Sequence, residues 1–576
     1  MAALVERPPR DFTSVNRQVA SDLGLERASY SLESLSGDGS HATASISGRL
    51  LLTAFGGWTV RSKLRLSDTT GRWLVQWSPR SILPKLGPGD SVATIVSWPA
   101  RASILGTNGT PLTVETPMVS VGIEGARITD PPTLTTALEQ AGATAAQVTA
   151  ALATAAAHPQ YFVPVIALSQ ASYEQLKPTI YPVPGTVFQT YSARTALTPG
   201  LAAHIVGSLG PITAEELRTL GAPYQVGDSV GQTGIEQAYE RQLAGRPGGS
   251  IKVANASGAT VATVATFRAR PGSSVQTTID PAVQEAAEAA LSGVTDASSL
   301  VAIQASTGAV LASVSQPSTV AFDDALAGTY PPGSTFKVVT AADLIEHGLS
   351  PSSLASCPAT ITVGGETFHN FEGETQASLS LAQAFAESCN AAFIGLAGNL
   401  PYESFTSTAI QFGIGTKLQM GLGAFGGSVP TPSSDAGRAA TSIGQANVLV
   451  SPLDMAIVAA SVDAGSLHLP RLVVGAPDDA VPARALDPTV VSDLQSMMAA
   501  VVDSPNGTAA GAGLPSGTFG KTGTAEFGTA TPPKTHAWFI GYRGDLAFAV
   551  LVVGGGIGGS VAAPIAAKFL DAAGST

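Results

Sequence analysis

A chain of 576 residues is too long to close around one hydrophobic core, so three or so domains are expected. Only 12% of the residues are charged, while 44% are hydrophobic. That charged share is about half the usual one. Glycine and proline are plentiful but dispersed, and no charge run or sustained repeat occurs. A large globular protein is therefore expected rather than a disordered one. The net charge of −12 and the lack of a Lys/Arg run argue against a nucleic-acid partner. The two cysteines, Cys357 and Cys389, form no Cys-x-x-Cys pair. The seven histidines (41, 158, 204, 347, 369, 468 and 536) lack metal-ligand spacing, so no metal site is expected. One disulfide in an oxidising compartment and two buried thiols are equally compatible with the cysteine pair.

The opening Glu6-Arg7-Pro8-Pro9-Arg10 resembles neither a signal peptide nor a spanning helix. Leu546 to Ala567 is the one membrane-like stretch. Gly554, Gly555, Gly556, Gly558, Gly559 and Pro564 divide it into a strand, a turn and a closing helix, so a soluble chain is expected.

Three regimes follow along the chain. Residues 1–98 carry β-like segments at Thr59–Leu66 and Arg72–Trp77, which predict a small α+β domain with Trp73 and Trp77 in its core or a groove. Residues 99–270 mix Ala-rich helices (Pro132–Ala157, Thr213–Leu220) with strands at Ile251–Val253 and Thr260–Phe267. In residues 271–576, Val275–Ile279 reads as a strand and Asp280 caps a helix over Pro281–Leu291. Ser299–Ile303 and Val310–Val314 pair through a Thr307-Gly308 turn. Lys521–Glu526, His536–Tyr542 and Leu546–Val553 are three further strands. An antiparallel sheet framed by helices is the expected outcome.

One segment carries chemistry. Pro331-Pro332-Gly333 turns into an apolar helical run ending at Gly348, which puts Ser334 in the first turn and Lys337 one turn on along the same face. A serine needs a neighbouring base to become a nucleophile. Desolvation beside Phe336, Val338 and Val339 is expected to push Lys337 down from its usual value. Free N–H groups at the helix start supply part of an oxyanion site. A serine cap beside a solvated lysine is the plainer explanation of Ser-x-x-Lys in isolation. Of the nine lysines, however, only Lys337 has a serine three residues before it.

Ser388-Cys389-Asn390 falls in a helical run over Leu379–Leu396, where Ser388 and Asn390 reach one site only from a turn or a helix end. Lys521-Thr522-Gly523-Thr524-Ala525-Glu526 places a cation, two hydroxyls and a glycine on a strand. Thr522 and Thr524 share one face and Lys521 and Gly523 the other. Gly523 would let a ligand backbone approach, and the edge could hold a peptide with its terminal carboxylate. The plainer alternative for this segment taken alone is a surface hairpin with a solvated lysine. Gly227-Asp228-Ser229-Val230-Gly231 mimics a nucleophile elbow without its strand–turn–helix context. Gly520-Lys521-Thr522 mimics a phosphate loop with Pro515 where its glycine belongs.

Together, Ser334-Thr335-Phe336-Lys337, Ser388-Cys389-Asn390 and Lys521-Thr522-Gly523 stand 54 and then 133 residues apart. Their order and spacing resemble the three motifs of penicillin-binding proteins and serine β-lactamases. Thr277-Thr278-Ile279-Asp280 with Gln284, Tyr330-Pro331-Pro332-Gly333, Gly444-Gln445 with Ser451-Pro452-Leu453, and His536-Ala537-Trp538-Phe539-Ile540-Gly541 extend the likeness to a transpeptidase domain over 271–576. Arg101-Ala102-Ser103-Ile104, Asn108-Gly109, Gly231-Gln232-Thr233-Gly234-Ile235-Glu236 and Gly245-Arg246-Pro247-Gly248 resemble the pedestal of class B enzymes over 99–270. Residues 1–98, with Trp77, Pro84 and Gly89-Asp90, are similar to the cystatin-like domain of the methicillin-resistance-type subgroup.

The resemblance implies a multidomain α+β protein. A β-lactamase/transpeptidase-like fold would stand on an extended pedestal and a small α+β domain. It also implies a peptidoglycan D,D-transpeptidase that works without a cofactor. Ser334 would attack a D-Ala-D-Ala peptide bond with Lys337 as base, and Ser388 would relay the proton. Asn390 would hold the substrate amide and orient Lys337. Lys521 would supply positive potential, and Thr522 and Thr524 would take the carboxylate beside Gly523. The backbone N–H groups of Ser334 and Thr524 would form the oxyanion hole. Expected partners are stem peptides or their lipid-linked precursor, β-lactams at the same serine, and a glycosyltransferase. The expected location is the cell envelope outside the cytoplasm, with a membrane or lipid anchor upstream of this chain. A Cys357–Cys389 disulfide is expected. The alternatives are a D,D-carboxypeptidase or β-lactamase with the same motifs, distinguished by rapid release of the acyl-enzyme, and a β-lactam sensor.

Overall fold

The computed structural model describes residues 4–574 apart from 70, 199, 319–321, 371–374 and 531. Near the N-terminus, Phe12–Asp22 is an amphipathic helix whose Val19 is buried against a four-stranded antiparallel sheet. Its strands are Leu25–Asp38, His41–Leu52, Gly56–Asp68 and Trp73–Gln76. Trp77 stacks edge-on against Phe12, with ring centroids 5.2 Å apart. Trp73 is 45% exposed, at the sheet edge rather than in the core.

This first core is completed from a distance. Gly248–Ala254 pairs with both Ser91–Ser97 and Thr260–Phe267, which buries Ile251 and Val253 with Leu50, Leu52 and Val60. A boundary at residue 98 therefore leaves a hairpin of the second regime packed on the first. Alternation along the hairpin shows that it has one apolar face but not which sheet receives that face.

A second core lies under a three-stranded sheet of Thr113–Glu124, Phe162–Ser169 and Thr186–Ala196. The predicted helix over Pro132–Ala157 is two, Pro131–Gln140 and Ala145–Ala157. Gly142 (φ +99°) divides them, and Thr144 starts the second with a capping box. A buried ionic knot ties this sheet to the following helices. Glu236 holds Arg101 at 2.6 Å and Arg194 at 2.6 Å, Glu240 holds Arg101 at 2.8 Å, and Tyr224 donates to Glu240 at 2.9 Å.

The largest core belongs to the C-terminal region. Its five-stranded antiparallel sheet runs Ala309–Gln316, Ser298–Gln304, Leu546–Val552, Lys534–Arg543, Phe519–Phe527. The central strands are buried at nearly every position, so both faces are covered. The covering helices include Pro281–Leu291, Pro452–Ala464 and Gly558–Ala573. Phe519–Phe527 is left as the edge, and the Ser334 turn packs against it. Among the described residues no helix is long and apolar enough to cross a membrane.

Removing one member of a buried ion knot leaves its partners charged and uncompensated, a loss of about 3–5 kcal/mol. Glu236→Gln should thus lower the stability of the region around the second core by about that amount. Urea unfolding followed by proteolysis of that region measures it, with no comparable change for Glu174→Gln in an exposed pair.

Candidate active site

Gly333 opens the site. Its φ of +53° suits glycine, and a Cβ there would lie 2.9 Å from the Thr524 carbonyl oxygen. Gly444 crosses behind it at φ +70°, donates no side chain, and accepts from the Gly333 N–H at 3.0 Å; a Cβ at Gly444 would fall 2.1 Å from the Gly333 oxygen. Trp538 Nε1 donates to the Pro331 carbonyl at 3.1 Å from the central sheet. The predicted helix over this segment is in two parts. Gly333–Phe336 is a 3₁₀ turn, and the α-helix runs Lys337–Glu346. Ser334 is half-buried on the tight turn, while Lys337 has no exposed surface.

The Leu379–Leu396 run is broken at the residues that matter. Helices Leu381–Ala386 and Asn390–Ala397 leave Ser388 between them at φ +62°, a left-handed conformation that is uncommon outside glycine. Apolar periodicity continues through the break, which is why the sequence reads as one helix. The turn is fastened from behind. Cys389 is bonded to Cys357, with Cα atoms 6.2 Å apart, and buried Asn370 accepts from the Ala391 N–H at 2.9 Å.

The turn brings three motifs together. Lys337 Nζ donates to the Ser388 carbonyl at 2.6 Å, to Asn390 Oδ1 at 2.8 Å and to Ser388 Oγ at 3.3 Å. Lys521 Nζ reaches the same Ser388 Oγ at 2.9 Å and the Thr522 carbonyl at 3.1 Å. Each ammonium also lies over a ring, Lys337 over Phe393 at 5.3 Å and Lys521 over Phe385 at 5.5 Å. Burial pushes Lys521 down to about 7. Asn390 is fixed in turn, because its Nδ2 donates to the His369 carbonyl at 3.1 Å.

In front of these groups lies a cavity of about 520 Å³, lined by Ser334, Ser388, Asn390, Thr522 and Thr524 among others. Gly523 plays a different part from the one expected. A Cβ on it would meet Thr335 at 2.8 Å and the Pro332 oxygen at 3.0 Å, so its smallness admits the Ser334 turn rather than a ligand. The sequence offered no sign of Thr508, whose hydroxyl lies 2.6 Å from that of Thr522. Nor did it mark His369, whose Nε2 lies 3.6 Å from Oε1 of Glu526 at the rim. Each reaches the cavity from a loop or strand distant in the chain.

Comparison with known proteins agrees with this geometry. The penicillin binding protein transpeptidase domain family matches residues 298–571, and the penicillin-binding protein dimerisation domain family matches 97–277. The peptidoglycan D,D-transpeptidase PbpA of Mycolicibacterium smegmatis is 34% identical over 410 residues, covering 61% of this chain and 81% of its own length. Penicillin-binding protein 3 of Bacillus subtilis is 26% identical over 540 residues, 85% of this chain and 79% of that protein. A solved peptidoglycan synthase complex, described for its coordination of polymerization and crosslinking, holds a chain of the same fold. Its TM-score is 0.65 at 23% identity, covering 84% of this chain and 92% of that one. A dimerisation domain followed by a transpeptidase domain, on a site of this construction, is the signature of one group: the chain belongs to the class B penicillin-binding proteins.

Proposed function

We propose that this chain is a serine D,D-transpeptidase that cross-links peptidoglycan stem peptides through an acyl-enzyme on Ser334, and that β-lactams acylate the same residue. The observation that carries this is the convergence of two buried lysines on the Ser388 hydroxyl at the floor of the cavity Ser334 lines. Ser334 Oγ attacks the D-Ala-D-Ala carbonyl while neutral Lys337 takes its proton. The backbone N–H groups of Ser334 and Thr524 receive the oxyanion, roughly 3–4 kcal/mol per donor in serine hydrolases. Ser388 passes the proton to the departing D-Ala, and a stem-peptide amine then attacks the ester and releases Ser334. Asn390 keeps Lys337 aimed and takes the substrate amide. Lys521, with the Thr522 and Thr524 hydroxyls beside Gly523, takes the terminal carboxylate, whose arrival favours the ammonium form again.

The domain reading is a cystatin-like module over 1–98, a pedestal over 99–270 and the catalytic domain over 271–576; three hydrophobic cores support the count, while Ile251 and Val253 join the first core and Ile104, Leu201 and Ile235 the last, so the cores cross those boundaries. The disulfide beside Ser388 supports an extracytoplasmic site of action. The likeness to a chain in a synthase complex supports a glycosyltransferase partner.

Fluorescent penicillin should label the native protein and not Ser334→Ala; covalent labelling of the alanine variant would reassign the nucleophile. A chromogenic β-lactam should be consumed about once per enzyme molecule, whereas sustained turnover would make the protein a hydrolase. Lys521 sets a pH dependence of known sign. Its value of about 7 in the fold lies below the ~10.4 of an unfolded lysine, so the unfolded chain holds more protons between those limits. Stability from this group is complete above ~10.4 and is lost as pH falls toward 7. The thermal midpoint of the native protein relative to Lys521→Met should therefore rise between pH 7 and pH 10, and a flat difference would show Lys521 to be unperturbed.

A further inference from the structure

Outside the Ser334 cleft, in a cavity that shares no lining residue with it, the chain crowds like charges although its net charge is −12. The Thr260–Phe267 strand runs on into Arg268-Ala269-Arg270, and Gly245-Arg246-Pro247 returns beside it. Arg246 and Arg270 exchange both backbone hydrogen bonds, at 2.8 and 2.9 Å, as a directly opposed antiparallel pair. Like charges so opposed are destabilising. The crossing is nevertheless enforced, because Gly245 sits at φ +73° and a Cβ there would lie 2.4 Å from the Arg270 oxygen. Arg268, two residues before Arg270, and Arg241, from a neighbouring helix, join them.

All four guanidinium side chains are exposed and line one cavity of about 1040 Å³. Its lining includes no Asp or Glu. Among the described residues none of the four forms a salt bridge. Trp98 and Tyr224 supply an aromatic wall, their ring centroids 4.7 Å apart, and Trp98 is anchored by its Nε1 donating to Asp228 at 3.1 Å.

We propose that this cavity binds a phosphate-rich ligand, a diphosphate or phosphodiester group on a body that lies against Trp98 and Tyr224. Guanidinium forks match phosphate oxygens two at a time. Four of them without a counter-ion call for more negative charge than one carboxylate carries. The aromatic wall suits a sugar ring or an apolar chain. Since the lining takes in Thr53–Gly56 from the first core's hairpin as well as residues 241–247, the bound ligand braces the N-terminal sheet against the pedestal.

The test uses the full chain with inorganic pyrophosphate as probe, followed by calorimetry and thermal shift at low salt. Saturable binding at one site is expected, weakening at least about tenfold on raising the salt from 50 to 200 mM. Arg246→Gln with Arg270→Gln should weaken it at least about tenfold. Arg61→Gln with Arg65→Gln, in the other basic groove on the N-terminal sheet, should leave it unchanged. Without ligand, Arg270→Gln should melt no lower than the native protein, because it relieves repulsion; a lower midpoint would assign the residue a structural role and overturn the proposal. So would unsaturable binding, or a double variant that binds like the native protein. Vesicles of phosphatidylglycerol in phosphatidylcholine distinguish the source: retention that depends on Arg246 and Arg270 identifies a lipid headgroup, and independence identifies a soluble ligand. Penicillin labelling of Ser334 should be unchanged in both double variants, so failure here is separable from failure of the catalytic reading.

Discussion

Two lysines with no exposed surface meet on one serine hydroxyl, and the rest of the catalytic region is arranged to tolerate that meeting. Burying a single ammonium costs several kcal/mol. Two within reach of one atom add mutual repulsion. The offsets are visible: amide and carbonyl oxygens on Lys337, the Thr522 carbonyl on Lys521, and a phenyl face under each. A cation–π contact in a desolvated setting contributes about 2 kcal/mol. Burial still pushes Lys521 toward neutrality. The site is therefore held in place by the surrounding core, not by its own contacts.

That core must deliver the hydroxyl to a point no regular helix reaches. Ser388 occupies a left-handed turn between two helices, and such a conformation persists only when its surroundings over-determine it. Here they do. The disulfide from Cys389, the Asn370 amide and the Thr508 N–H bonded to the Ala386 carbonyl at 3.1 Å all grip the turn. The strain sits at the residue proposed to relay the proton, and the anchors sit one step behind it.

Much of this was legible in the chain and some was not, for reasons that differ by residue. The strands of the C-terminal sheet follow from short apolar runs bounded by turn residues, as at Thr307-Gly308, where local signals suffice. The three motifs were visible because each joins reactive side chains within a few residues. The break at Ser388 was hidden because Ala384, Phe385, Ala391 and Ala392 keep the apolar pattern of a continuous helix. Gly523 was read as room for a ligand, but Thr335 fills it, and nothing within the motif names that neighbour. The pairing of residues 248–254 with 91–97 spans more of the chain than any periodicity can see. Charge grouping was missed for a related reason. Arg61, Lys63 and Arg65 alternate with other residues and form no run, yet a strand collects them on one face.

Two clusters of buried charge in this protein contrast, and the contrast separates support from chemistry. In the region of the second sheet, Arg101 and Arg194 are matched by Glu236 and Glu240, and burial raises Tyr224 well above its usual value, so the proton stays on the phenol oxygen and is donated to Glu240. Every charge there has an opposite within 3 Å. What such a knot supplies is geometry between segments far apart in the chain. In the catalytic region Lys521 meets a hydroxyl, a carbonyl and a ring, and burial pushes it down to about 7, close to neutrality. A carboxylate placed beside these lysines would make the site more stable and would also lock the lysines in the charged form, unable to take a proton from Ser334. The phenyl ring under Lys521 offsets part of the cost of its burial without fixing its charge.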